Sequence, residues 1–103
     1  GMILTARRVS AREGLELGFV NEVVGTGQAL LAAERTAEAI LQNSPMSIRA
    51  SKQAVQRGLE LSLQQALAEQ SGWPAVQALA SSEDALEGPK AFAAKRAPHW
   101  RGK

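Results

Sequence analysis

Four stretches of this chain carry the signature of a helix start, and their spacing admits only short helices. Ser10-Ala11-Arg12-Glu13 has the spacing in which the serine hydroxyl takes the amide of Glu13 while the glutamate reaches back. Asn43-Ser44-Pro45 ends one helix and begins another. Ser44 is the cap, and Pro45 sits in the first turn, where its missing N–H costs nothing. Ser62-Leu63-Gln64-Gln65 repeats the reciprocal cap, and Ser81-Ser82-Glu83-Asp84 caps a last short turn.

The residues between these starts fill in the elements. The first helix runs to Leu17, where Gly18 supplies a left-handed stop. "FVNEVV", Phe19 to Val24, alternates and is β-branched, which predicts a short extended segment before Gly25 and Gly27 break the chain. From Gln28 to Gln42, Leu30, Ala33, Ala37, Ile40 and Leu41 keep to one helical face, and Ile48, Ala54, Val55 and Leu59 mark the next buried stripe. A helix opening at Ser62 runs through Ala66, Leu67 and Ala68, and its periodicity continues to Val76 and Leu79. Gly72-Trp73-Pro74 interrupts it. An interior proline costs about 3 kcal/mol, so the helix kinks or restarts within two residues of Trp73. Gly88-Pro89 starts the terminal helix, which stops at Ala97 before Pro98.

Five or six short helices with at most one short extended segment make the fold all-α. Composition agrees, because alanine and leucine are plentiful and only 4% of residues are aromatic. At 103 residues the chain is read as one helical domain, residues 1–103. Gly1-Met2 reads as an expression scar ahead of a native start methionine, so Gly1 stays out of functional reasoning.

The absence of cysteine excludes a disulfide framework and thiolate chemistry, and fits a cytoplasmic setting. No apolar run approaches the roughly 20 residues that span a bilayer, so no membrane role is expected. The net charge of +2 invites a nucleic-acid reading, but its distribution argues against one. Arg7, Arg8 and Arg12 sit at one end, and Lys90, Lys95, Arg96, Arg101 and Lys103 at the other. Between them the cations alternate with Glu34, Glu38, Glu60 and Glu69, which leaves no dense basic stripe.

Catalytic signals are equally sparse. No cluster has metal-ligand spacing and no phosphate-binding glycine loop is present, so no metal site is expected. His99, between Pro98 and Trp100, has no acid close in sequence to orient it and reads as solvated. The glutamates at 13, 16, 34, 38, 60 and 69 fall on polar helix faces, and helix capping accounts for Glu87. No catalytic residue emerges. The terminal segment "EGPKAFAAKRAP", Glu87 to Pro98, is different. Phe92 and Lys95 stand three apart and are helix-surface neighbours, with alanines at 91, 93, 94 and 97 leaving room beside them. A flat base stacked on the ring and a phosphate on the ammonium suit this pair. The alternative is a Phe92 plugging a core beside a solvated Lys95 and Arg96.

Taken in order, "LTARRVSAREGLELGFVNEVV", "SPMSIRASKQAVQRGLE" and "SSEDALEGPKAFAAKRAP" resemble the C-terminal helical region of the enoyl-CoA hydratase/isomerase, or crotonase, superfamily. The likeness runs from Ile3 to Trp100. It implies a helical, trimer-building region that follows a spiral of β-β-α turns, and places the oxyanion hole and acid–base glutamates in that spiral, ahead of Ile3. It also implies that Phe92 and Lys95 help hold the adenine and phosphate end of coenzyme A. Four positions depart from the usual pattern: Gly14 for alanine, Phe19 for leucine, the Gly72-Trp73-Pro74 interruption, and Pro89 after the motif glycine.

The resulting expectation is a truncated family member: a helical association module with a remnant coenzyme A thioester contact, no required cofactor and no catalysis alone. Its partners are expected to be further copies of itself, as a dimer or trimer. A second reading makes it a subunit that completes an acyl-CoA hydratase or isomerase with a separate spiral-bearing chain. A third, from a different class, is a basic helical nucleic-acid binder.

Overall fold

A computed structural model describes residues 1–103 as helices and turns without a strand. Seven α-helices run in order: α1 Met2–Thr5, α2 Ala11–Glu16, α3 Ala29–Leu41, α4 Pro45–Gly58, α5 Leu63–Glu69, α6 Pro74–Ala80 and α7 Glu83–Ala93. A 3-10 turn, Gln70–Gly72, separates α5 from α6. The all-α class is as expected. The packing divides into two units, Gly1–Thr36 and Ala37–Lys103, with the division inside α3.

In the first unit the Ser10 hydroxyl takes the Glu13 amide at 3.2 Å, but the Glu13 carboxylate turns to Arg7 at 2.6 Å instead of reaching back. Only half of the expected reciprocal cap forms, because a charged partner outcompetes a backbone amide. α2 closes as anticipated on Gly18, at φ +82°. Gly18 N–H donates to the Leu15 carbonyl at 3.1 Å and Phe19 N–H to the Gly14 carbonyl at 3.2 Å, the paired bonds of a left-handed helix stop. The Phe19–Val24 segment finds no neighbouring strand and stays irregular. Its alternation lacks the second chain that a ladder requires.

Gly14 is buried, and a Cβ built there would stand 2.8 Å from Val20 Cγ2 and 3.0 Å from Phe19 Cε2. The two departures at 14 and 19 are therefore one adjustment. The larger ring occupies space that a larger residue 14 would need. In α3 the only buried residue is Ala32, whereas the expected core face of Leu30, Ala33, Ala37, Ile40 and Leu41 is exposed. That face is apolar as read, but nothing within the chain covers it.

In the second unit Ser44 caps α4 by accepting from the amides of Met46 and Ser47, both at 3.2 Å, with Pro45 in the first turn. Ser62 and Gln65 complete their reciprocal cap on α5. The predicted break also appears where expected: Trp73 is extended at ψ 138° and Pro74 opens α6. Trp73 is 5% exposed, with the Arg57 guanidinium 5.9 Å from its ring centre. Trp73 supplies no side-chain cap, so Gln53 of α4 does, accepting the Ala75 N–H at 2.8 Å. α4 packs along α6 through this contact region.

The terminal helix departs from its expected bounds at both ends. It begins after Ser82, whose hydroxyl takes the Ala85 amide at 3.1 Å, and not at Gly88. It runs through Pro89, which forgoes a single backbone bond, and stops at Ala93 instead of Ala97. A strong serine cap six residues upstream outweighs one interior proline.

Gly14→Ala should lower stability by roughly 1 kcal/mol through overpacking, despite alanine's better helix propensity. In a Phe19→Leu background the loss should shrink by at least about 0.5 kcal/mol. Thermal unfolding followed by circular dichroism reads both, and strict additivity would contradict the pairing.

Candidate functional site

The second unit gathers its chemistry where α7 meets the tail. Asp84, in the first turn of α7, is 3% exposed. Its Oδ2 accepts the Ser44 hydroxyl at 2.7 Å, and its Oδ1 accepts the Arg101 N–H at 2.8 Å. Gly102 N–H adds bonds of 3.3 Å to both oxygens. Ser44 thus serves two ends, accepting from α4 and donating to Asp84. Beside it, Glu83 N–H donates to the Lys103 carbonyl at 2.7 Å, and Arg101 pairs with the Glu83 carboxylate at 2.9 Å. Trp100 donates its indole N–H to the Gln42 carbonyl at 2.8 Å and lies over Gly88, where a Cβ would meet the ring at 3.5 Å.

One turn further along α7, Glu87 holds Arg96. The guanidinium donates to its two oxygens at 2.6 and 3.0 Å, and the His99 N–H adds a bond of 2.7 Å. This corrects the capping role expected of Glu87, which sits within α7 and closes a loop of nine residues instead. The Arg96 bond, then the His99 amide, hold the Glu87 carboxyl down at about 2. Burial pushes the Asp84 carboxyl up, but the bonds from Arg101, Ser44 and Gly102 outweigh it and leave it below the usual range. Both carboxylates are fully engaged. Neither is placed to act as a general base.

Phe92 lies in the last turn of α7 and is 88% exposed, so it plugs no core within this chain. Lys95 lies two residues past the helix, in a left-handed conformation at φ +49°. The two are not neighbours on one continuous helix face, because α7 ends before Lys95. The turn between them carries paired bonds, Lys95 N–H to the Phe92 carbonyl and Arg96 N–H to the Ala91 carbonyl, both 3.1 Å. Lys95 therefore occupies the position that Gly18 fills at the end of α2. A side chain there costs about 1–2 kcal/mol. Lys95 has no ion-pair partner.

Asp84 was visible in sequence only as an acid beside a capping serine. Its donors stand 17, 18 and 40 residues away, and two of them are backbone amides that no motif marks.

A family model described as enoyl-CoA hydratase/isomerase matches residues 1–103. The chain belongs to that family. Carnitinyl-CoA dehydratase of Salmonella typhi is 38% identical over 107 residues, a match covering 99% of this chain and 40% of the relative. The Proteus mirabilis protein of the same name is 36% identical over 104 residues, with the same coverage. Among solved structures, an enoyl-CoA hydratase from Mycobacterium tuberculosis superimposes with a TM-score of 0.88 at 36% identity, covering 97% of this chain and 39% of the other. One from Bacillus anthracis gives 0.87 at 35%, covering 98% and 38%. The chain spans about 40% of the length of the curated relatives it matches. The expected likeness to the crotonase C-terminal helical region holds.

The Glu87 pairing has a pH signature. A carboxyl held at about 2 in the fold, against an ordinary 4.5, contributes stability that is complete above pH 4.5 and lost as pH falls toward 2. The unfolding midpoint should decline through that window, and Glu87→Gln should flatten the decline. Identical pH profiles for the two proteins would contradict the pairing.

Proposed function

We propose that this chain is a helical association module of the enoyl-CoA hydratase/isomerase family, covering its apolar faces with further copies of itself and contributing Phe92 and Lys95 to a coenzyme A contact. One observation carries the reading. The buried apolar residues are Ala32, Ala50, Trp73 and Ala91, whereas sixteen large apolar side chains are exposed. Leu30, Leu41, Leu59, Leu63 and Phe92 are each more than two-thirds exposed. Contiguous apolar patches beyond a few hundred Å² are uncommon on monomers. Covering about 600 Å² is worth on the order of 15 kcal/mol of gross burial at 25 cal/mol per Å². That equals the net stability of a whole domain and exceeds many estimates of the association cost.

An open, mostly apolar groove of about 540 Å³ in the second unit is lined by residues that include Val55, Leu59, Leu63, Leu67 and Trp73. It supports the association reading. The coenzyme A contact draws its support from the exposed Phe92 ring, the unpaired Lys95 and relatives whose names are those of enzymes acting on acyl-CoA thioesters. A flat adenine suits the ring and a phosphate suits the ammonium. The Asp84 and Glu87 carboxylates are already engaged in holding the tail, so the chain alone is inert toward hydration in this reading. The alternative, in which a separate spiral-bearing chain is completed by this one, differs in requiring a second polypeptide for both mass and turnover.

Light scattering at micromolar concentration should give a dimer or trimer mass. Leu59→Lys with Leu67→Lys should shift it toward the monomer. A monomer mass for the unaltered chain would overturn the association reading. In parallel, enoyl-CoA esters should show no hydration or isomerisation above background with the purified chain, and robust turnover free of contaminating hydratase would contradict its inertness.

A further inference from the structure

The chain builds the same helix stop twice and fills its left-handed position differently. At the end of α2 the position is Gly18, at φ +82°, which has no side chain to strain. At the end of α7 it is Lys95, at φ +49°, where glycine is the favoured residue. The only other non-glycine residue with positive φ is Ala6, which closes the four-residue α1. What distinguishes the α7 stop is a clasp absent from α2. Arg96, the residue after Lys95, is pulled back onto the helix by two bonds to Glu87, at 2.6 and 3.0 Å. Glu87 also takes the His99 N–H at 2.7 Å, and the Arg96 guanidinium caps the Ala97 carbonyl at 3.0 Å. The backbone on the far side of Lys95 is thereby fixed through four bonds. An unfavourable conformation persists where its surroundings over-determine it, and such places gather at ligand clamps.

We propose that Glu87 and Arg96 are positioning residues: their ion pair clamps the turn that holds Lys95 left-handed, and so sets where the Lys95 ammonium stands relative to Phe92 for a phosphate of coenzyme A. The assignment rests on the coenzyme A reading above. The Glu87 carboxyl, held at about 2, keeps the clasp charged throughout the neutral range. The pair is one of four ion pairs in the chain and the only one that accepts both nitrogens of a guanidinium. Glu87 touches no ligand in this scheme. It acts through Arg96 and the turn.

The test separates the turn from the ligand. Backbone couplings and chemical shifts of Lys95, measured by NMR on the whole chain without ligand, report its φ directly. In Glu87→Gln and Arg96→Gln they should move from left-handed toward averaged values, while the amide signals of α4 and α6 stay put. In a Lys95→Gly background, which needs no clamp, Glu87→Gln should depress the unfolding midpoint by less than it does in the parent chain. Titration with coenzyme A should show that Lys95→Gln weakens binding, and that Glu87→Gln weakens it by a smaller factor, about two- to ten-fold, bounded by the Lys95→Gln loss. Adding Glu87→Gln to Lys95→Gln should cost nothing further. Lys95 remaining left-handed in both clasp variants overturns the assignment, as does an equal midpoint loss in the glycine background. If the unaltered chain fails to bind coenzyme A, or Lys95→Gln leaves binding unchanged, the coenzyme reading falls instead, and with it the ligand half of the assignment.

Discussion

The Asp84 carboxylate joins three parts of the chain that have little apolar surface with which to hold one another. It stands in the first turn of α7, takes the hydroxyl that caps α4, and takes two consecutive amides from the tail. The Ser44 hydroxyl, on a residue only 4% exposed, would otherwise be a polar group withdrawn from water without a partner, a cost of about 1–3 kcal/mol. No buried side-chain polar atom in the chain lacks a hydrogen bond. Removing the carboxylate would release the tail and strip the α4 cap of its fixed orientation together, since Ser44 serves both. The Glu87–Arg96 pair extends the same plan one turn along α7.

This polar framework explains how the second unit keeps its shape with so small a core. Ala50 and Ala91 contribute little burial because alanine has little to bury, and Trp73, still 5% exposed, is the only large apolar side chain that is buried. The large apolar residues were not squandered on the surface. They form stripes on α3, α4 and α5 that nothing within this chain covers. Hydrogen bonds between residues distant in sequence hold the helices in place, and the apolar stripes stay exposed.

Much of this was legible in the sequence, for reasons that differ element by element. The caps at Ser44 and Ser62 and the restart at Trp73-Pro74 depend on bonds within a few residues, and local chemistry decides them. The Ser10 cap half failed because Arg7, just outside the capping window, captured Glu13. The extended segment at Phe19–Val24 needed a partner strand, and periodicity cannot say whether one exists. The core face of α3 was correctly read as apolar, but the step from apolar to buried assumes a cover that the chain does not contain. At the candidate site, the residue types of Phe92 and Lys95 were readable, and their geometry was not. The end of α7 depends on a pair spanning nine residues and on a left-handed lysine, both invisible to helical spacing. Asp84 was the largest omission, because its partners are mostly backbone and distant in sequence.

The central claim is that one buried carboxylate, in place of a hydrophobic core, couples the α4 cap, α7 and the tail. Native-state hydrogen exchange on the parent chain and on Asp84→Asn tests it most directly. The account predicts that the Arg101 and Gly102 amides of the parent are protected to the same degree as the first amides inside α7. It further predicts that Asp84→Asn accelerates exchange at Arg101, Gly102, Met46 and Ser47 together. Tail amides exchanging at free-peptide rates in the parent, or a variant in which Met46 and Ser47 keep their protection while the tail loses its own, would contradict it.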